Sequence, residues 1–221
     1  MRWIEQPVFF IDFEGSRATG VLEYGVATVL GDRVMETKTR LCRAAGHVRP
    51  EETAMHGLCE KDLATQAPFV DDFDLFAGLR EQGPLAAHYA GVENSLLKAV
   101  WPYPRNSPDF ARSGGHMVDW GPWIDTGALY AQFYPQLVSL KLTDLVNACG
   151  LQPELDALAA AHCPPARRRY HAALYDALAG ALLLASLARE PWLADLSTAQ
   201  MLALSALNPE KRDALTQGEL F

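Results

Sequence analysis

The segment Val8-Phe9-Phe10-Ile11-Asp12-Phe13-Glu14 constrains this chain more than any other. An apolar run of that length reads as a buried strand, and the acids and Gly15-Ser16 that end it have to emerge at a sheet edge. Asp12 and Glu14 are two residues apart, so both carboxylates project from one face. Acids directly behind apolar residues face a desolvation penalty unless a cation is near, and oxygen ligands suit hard divalent cations.

The rest of the chain predicts an α/β domain around that strand. Residues 23–30 and 33–41 flank Gly31-Asp32 and predict an antiparallel hairpin. Residues 50–80 are helical in pattern, with caps expected at Thr53 and Thr65 and breaks at Gly57 and Pro68. Residues 84–89 read as a second buried strand, followed by a helix from near Val92. Residues 101–121 predict a long surface loop, and 123–126 a further strand. Helices are then expected over 137–149, 153–161 and 170–188. The domain is expected to span 1–207, with 208–221 as a flexible tail.

Composition narrows the classes. With 221 residues, 49% hydrophobic and 21% charged, the chain suits a single globular domain. A net charge of −8 argues against a broad basic face, so any nucleic acid has to be gripped locally. Cys42, Cys59, Cys149 and Cys163 are scattered and are expected as free thiols. No apolar run approaches the ~20 residues of a membrane span, and Met1-Arg2-Trp3-Ile4-Glu5 does not begin a signal peptide, so the expectation is a cytoplasmic protein without a membrane partner.

Further chemistry-bearing residues lie downstream. Glu93 follows the second strand, and Tyr170-His171-Ala172-Ala173-Leu174-Tyr175-Asp176-Ala177 opens the last long helix. On one continuous helix an offset of five residues keeps His171 and Asp176 roughly 140° from superposition, which predicts separate roles: Asp176 as a metal ligand, His171 as a base.

With these segments in this order, the chain resembles the DEDDh, or DnaQ-like, family of 3′-to-5′ exonucleases over residues 7 to 187. The likeness rests on Phe10-Ile11-Asp12-Phe13-Glu14-Gly15, on Ala87-His88-Tyr89-Ala90-Gly91-Val92-Glu93 and on His171-Ala172-Ala173-Leu174-Tyr175-Asp176-Ala177. Met55-His56-Gly57-Leu58 and Asp125-Thr126 add to it.

The resemblance implies a ribonuclease-H-like mixed five-stranded sheet flanked by helices, and two Mg²⁺ or Mn²⁺ ions held by Asp12, Glu14, Glu93 and Asp176, with His171 as general base. It implies hydrolysis of single-stranded or frayed DNA 3′ ends to nucleoside 5′-monophosphates. RNA trimming is the nearest rival, and a weakly catalytic module that binds nucleic-acid ends is the alternative from another class. The family usually has Asp where this chain has Glu93, so either the backbone compensates for the extra methylene, the contact runs through water, or the second metal binds more weakly, compensation being the favoured reading.

Other residues carry two readings each. His88 sits in an apolar strand, where a satisfied core histidine competes with a substrate contact. His56 either leans over the terminal nucleotide or is a loop histidine. Phe13 and Leu58 either wedge against terminal bases or pack in the core. Arg167-Arg168-Arg169, with Arg168 central, either meets backbone phosphates or stays solvated. Gln217-Gly218-Glu219-Leu220-Phe221 resembles the Q-x-x-L-F peptides that hook onto the bacterial sliding clamp, with Gln217, Leu220 and Phe221 as the contacts.

Overall fold

The computed structural model describes residues 1–206. The apolar run forms β1 (Val8–Ser16), which pairs antiparallel with β2 (Gly20–Leu30), and β2 pairs in turn with β3 (Arg33–Leu41). A helical stretch follows, with α1 (Pro50–His56), α2 (Glu60–Leu63) and α3 (Phe73–Gln82). Next come β4 (Leu85–Ala87), parallel to β1, and α4 (Gly91–Val100). A short ribbon of β5 (Ser107–Pro108) and β6 (His116–Met117) precedes β7 (Trp123–Asp125), which pairs parallel with β4. The main sheet is therefore five-stranded in the order β3-β2-β1-β4-β7.

Six more α-helices complete the described chain: α5 (Thr126–Phe133), α6 (Leu142–Ala148), α7 (Gln152–His162), α8 (Ala173–Leu187), the short α9 (Pro191–Ala194) and α10 (Thr198–Ser205). Alternation along β1 divides the core. Val8 and Phe10 join the cluster that contains α8, whereas Phe9, Ile11 and Phe13 join the aromatic cluster of Phe69, Phe76 and Trp101. Because β1 is covered on both faces, it had to read as an unbroken apolar run. Nearly every residue of α8 is buried, which explains its Ala and Leu content on all sides.

Several local expectations are corrected. Thr53 and Thr65 do not cap helices; α1 is preceded by Arg49 with Pro50 in its first turn, and Glu52 accepts from the Arg49 amide at 3.1 Å. Thr53 instead donates to the Leu58 carbonyl at 2.9 Å and ties off the far end of α1. The helix expected from 137 begins at Leu142, because Ser139 accepts from the Lys141 amide at 3.3 Å and donates to Asp144 at 2.6 Å, closing a local turn. The loop of residues 101–121 contains the β5–β6 ribbon and a fully buried Trp120, and is held by Arg80, which donates to the Pro108 and Gly121 carbonyls at 2.9 and 3.1 Å. The four cysteines are free thiols. Among the described residues, no helix is long and apolar enough to cross a membrane. Gln217, Leu220 and Phe221 lie outside the described residues.

Candidate metal and catalytic site

Four acids from three elements converge where β1 leaves the core. Asp12 and Glu14 come from the end of β1, Glu93 from the first turn of α4 and Asp176 from the first turn of α8. Glu14, Glu93 and Asp176 are buried and Asp12 is half-buried. A bulge in the β1–β2 register follows Glu14, and Gly15 takes φ 128° there. A side chain at Gly15 would place its Cβ 2.2 Å from the Gly20 carbonyl oxygen, so this turn excludes every other residue.

The cluster is electrostatically unfavourable on its own. Burial first, and then the carboxylates of Asp176, Glu93 and Glu14, hold Asp12 well above the usual carboxylate range. Burial, then Asp176 and Glu23, push Glu14 up to about 8, and burial with Asp125 and Glu14 pushes Glu93 to about 8. Burial and Glu23 raise Asp176 to about 7, against the His171 amide and Arg167, which pull it down. Among the described residues none of the four acids enters an ion pair.

Two buried oxygens, Glu93 Oε2 and Asp176 Oδ1, have no hydrogen-bond partner. Buried polar atoms rarely stay unpaired unless something else is meant to meet them. Ligand atoms of Glu14, His171 and Asp176 lie within 4.8 Å of one another, close enough to share one ion. An oxygen-rich donor set of this kind fits Mg²⁺ or Mn²⁺. The site therefore fits the metals the sequence implies. Glu93 is no obstacle, since its carboxylate is brought close enough to Asp12 to contribute to the raised proton affinity there.

His171 corrects the helical argument. It lies outside α8, which begins at Ala173, and its own φ of 61° breaks the periodicity on which the 140° separation depended. The exposed imidazole accordingly lies beside Asp176 rather than away from it. The His171 amide donates to Asp176 Oδ2 at 3.0 Å, which leaves Oδ1 for another partner.

Two acids that sequence reading did not assign support this arrangement. Asp125 caps α5 by accepting from the Ala128 amide at 3.2 Å, and also accepts from the Tyr89 and Ala90 amides at 3.1 and 3.0 Å. It thereby holds Tyr89 at φ 61° and fixes the turn that leads to Glu93. Glu23, on β2, accepts from the Ala173 amide at 3.0 Å and pairs with Arg167. The sequence signal was a lone acid inside Val21-Leu22-Glu23-Tyr24, on a strand that buries almost every residue. Gly25 lets α8 reach that strand, because a Cβ there would lie 2.3 Å from the Ala173 carbonyl oxygen.

The remaining candidates divide. Phe13 is packed edge-on against Phe69 with centroids 5.4 Å apart, and Leu58 is buried with Leu22, Val48 and Leu63, so both side chains pack in the core. Both ring nitrogens of His88 are engaged, Nδ1 with the Thr126 hydroxyl at 2.9 Å and Nε2 with the Leu140 carbonyl at 2.8 Å, the bonding of a satisfied core histidine. Arg168 donates to the Cys163 and Ala160 carbonyls at 3.2 and 2.9 Å, and so ties off the end of α7. His56 is buried, and its Nδ1 accepts from the Leu58 amide at 3.1 Å while Nε2 has no partner. Arg169 donates to the His56 carbonyl at 3.1 Å and is near enough to Glu14 to lower its proton affinity.

No family model matches the chain, and no curated protein matches it. Solved structures do. The chain is similar to Exonuclease X in complex with 5′ overhanging duplex DNA, at 19% identity and TM-score 0.62 over 90% of this chain and 99% of that one. It is similar to the nuclease domain of 3′hExo, a DEDDh family member, bound to rAMP, at 14% identity and TM-score 0.60 over 84% and 93% of the two chains. It is also similar to E. coli Exonuclease I in complex with a dT13 oligonucleotide, at 14% identity and TM-score 0.62 over 95% of this chain and 46% of that one. These likenesses establish the fold: the mixed five-stranded sheet flanked by helices is the one these exonucleases use.

Proposed function

We propose that this chain is a metal-dependent DEDDh 3′-to-5′ exonuclease. The observation that carries the reading is the convergence of Asp12, Glu14, Glu93 and Asp176 beside His171, with two buried carboxylate oxygens lacking partners. Structures of the same fold that hold a DNA oligonucleotide or rAMP support it.

Two Mg²⁺ or Mn²⁺ ions held by the four acids would polarise the phosphodiester and offset the charge that develops on it. The chain's own residues do the rest. His171 accepts the proton of the attacking water from its exposed position beside Glu14 and Asp176. Asp125 and Glu23 fix the turns that carry Glu93 and Asp176, so the acids are positioned before substrate arrives. Arg169 and the His56-Gly57 turn stand at the rim near Glu14, where they can receive the terminal nucleotide. With a net charge of −8, the grip on the strand is local, which suits single-stranded or frayed 3′ ends; DNA is the proposed substrate and nucleoside 5′-monophosphates the proposed product. The test is a time course on 5′-labelled single-stranded DNA and RNA with Mg²⁺, Mn²⁺ or chelator. A ladder shortening from the 3′ end and abolished by chelator is expected, faster on DNA; its absence from both substrates would end the proposal.

The carboxylates also set a pH-dependent stability. Glu14, Glu93 and Asp176 have folded-state proton affinities raised above the unfolded ones, so their contribution is fully present at low pH and is lost as pH rises through about 7 to 8. Divalent ions bind the ionised forms and should reverse the trend. Differential scanning fluorimetry without metal should show Tm falling between about pH 5.5 and 8.5. Mg²⁺ at about 100 times its Kd should raise Tm by ~5–10 °C near pH 8 and by less than half of that near pH 5.5. A metal effect of equal size at both ends would place the binding elsewhere.

A further inference from the structure

Arg167 is the member of the basic run that the fold takes inside: its side chain is 12% exposed, against a Glu23 side chain 4% exposed. The pair is bidentate. Arg167 Nε donates to Glu23 Oε1 at 3.1 Å, and Nη2 donates to Oε2. The same guanidinium donates through Nη1 to the His56 carbonyl and through Nη2 to the His171 carbonyl, the latter at 3.2 Å. Glu23 Oε2 in turn accepts from the Ala173 amide at 3.0 Å, at the first residue of α8. Four of the five N–H groups of a guanidinium are thus committed inside the protein, which leaves little for a phosphate.

What this pair encloses is the peptide of His171. That residue has φ 61°, a conformation that a side chain with a Cβ adopts only when its surroundings hold it there. Its amide is taken by Asp176 and its carbonyl by Arg167, and the next turn is pinned by Glu23. A fork that reaches two carboxylate oxygens and two carbonyls is a geometry lysine cannot reproduce.

We propose that Arg167, seated on Glu23, is a positioning residue for His171, holding the strained peptide so that the imidazole stays within reach of Glu14 and Asp176. The inference rests on the nuclease reading only where turnover is the readout. If it holds, Arg167→Ala lowers kcat by about 10²-fold and Arg167→Lys by about 10-fold, with KM for an oligonucleotide changed less than about threefold. In a His171→Ala background the same substitutions cost less than about threefold more, because the residue being positioned is gone. Hydrogen exchange of residues 168–173, measured without metal or substrate, is faster in both Arg167 variants than in wild type.

A rise in KM with kcat kept would make Arg167 a strand contact and overturn the proposal. An equal loss in the His171→Ala background, or unchanged exchange across 168–173, would do the same. Should Arg167→Ala fail to fold, Arg167→Lys carries the test. A wild type without metal-dependent cleavage would remove the nuclease reading, while the exchange measurement would still decide whether Arg167 holds this peptide.

Discussion

Asp12→Asn is expected to reduce metal-dependent shortening of a 3′ end by at least about 10³-fold while raising the Tm of the metal-free protein. The two signs come from one cause. Asp12 stands among Asp176, Glu93 and Glu14, and burial together with those three holds its carboxyl well above the usual range. A neutral amide of nearly the same shape removes one source of repulsion and leaves the packing of β1 on β2 and β4 intact. The Tm gain should grow as pH rises, since ionisation of the neighbours is what makes the cluster costly. Sites assembled for chemistry commonly trade stability in this way. Gel assays and scanning fluorimetry on the same preparation decide it. Retained cleavage would remove Asp12 from the metal site, and lost cleavage with a lowered Tm would mean that the variant fails by unfolding.

The parts of this site that were legible in the sequence are those whose constraint is local. An apolar run had to be a strand covered on both faces, and acids at its end had to leave the core, so Asp12 and Glu14 could be placed from their spacing. Glu93 and Asp176 follow the same logic, each being an acid in the first turn of a helix. The start of α8 was not legible. Local propensity carries the helix back through Tyr170 and His171, whereas the structure begins it at Ala173, because Glu23 takes the Ala173 amide from a strand 150 residues away in sequence. Arg167 and Arg168 are neighbours in one basic run, yet one is drawn to a buried glutamate and the other to the end of α7. Charge in a sequence announces such residues, but only the packing of distant elements decides which of them turns inward. The same holds for Phe13, which stands between two acids in sequence and whose packing is set by a distant aromatic cluster.

His171→Ala should lower kcat by roughly 10²–10⁴-fold, the range for loss of a general base, while leaving Mn²⁺ affinity within about threefold of wild type. The second half of that statement is the sharper one. With a ring nitrogen placed near oxygens of Glu14 and Asp176, the imidazole could act on a water or coordinate an ion directly, and static geometry permits both. Exposure and chemistry favour the base. His171 is exposed while the acids beside it are buried, and hard divalent ions prefer the oxygens that Asp176 Oδ1 and Glu14 already offer. A base can be lost without disturbing the ion; a ligand cannot. Titration of Mn²⁺ into His171→Ala, followed by electron paramagnetic resonance, separates the two. Affinity close to wild type with cleavage lost assigns proton transfer to His171, whereas a drop of about 10–100-fold would make it part of the ion's coordination shell and pass the role of base to another group.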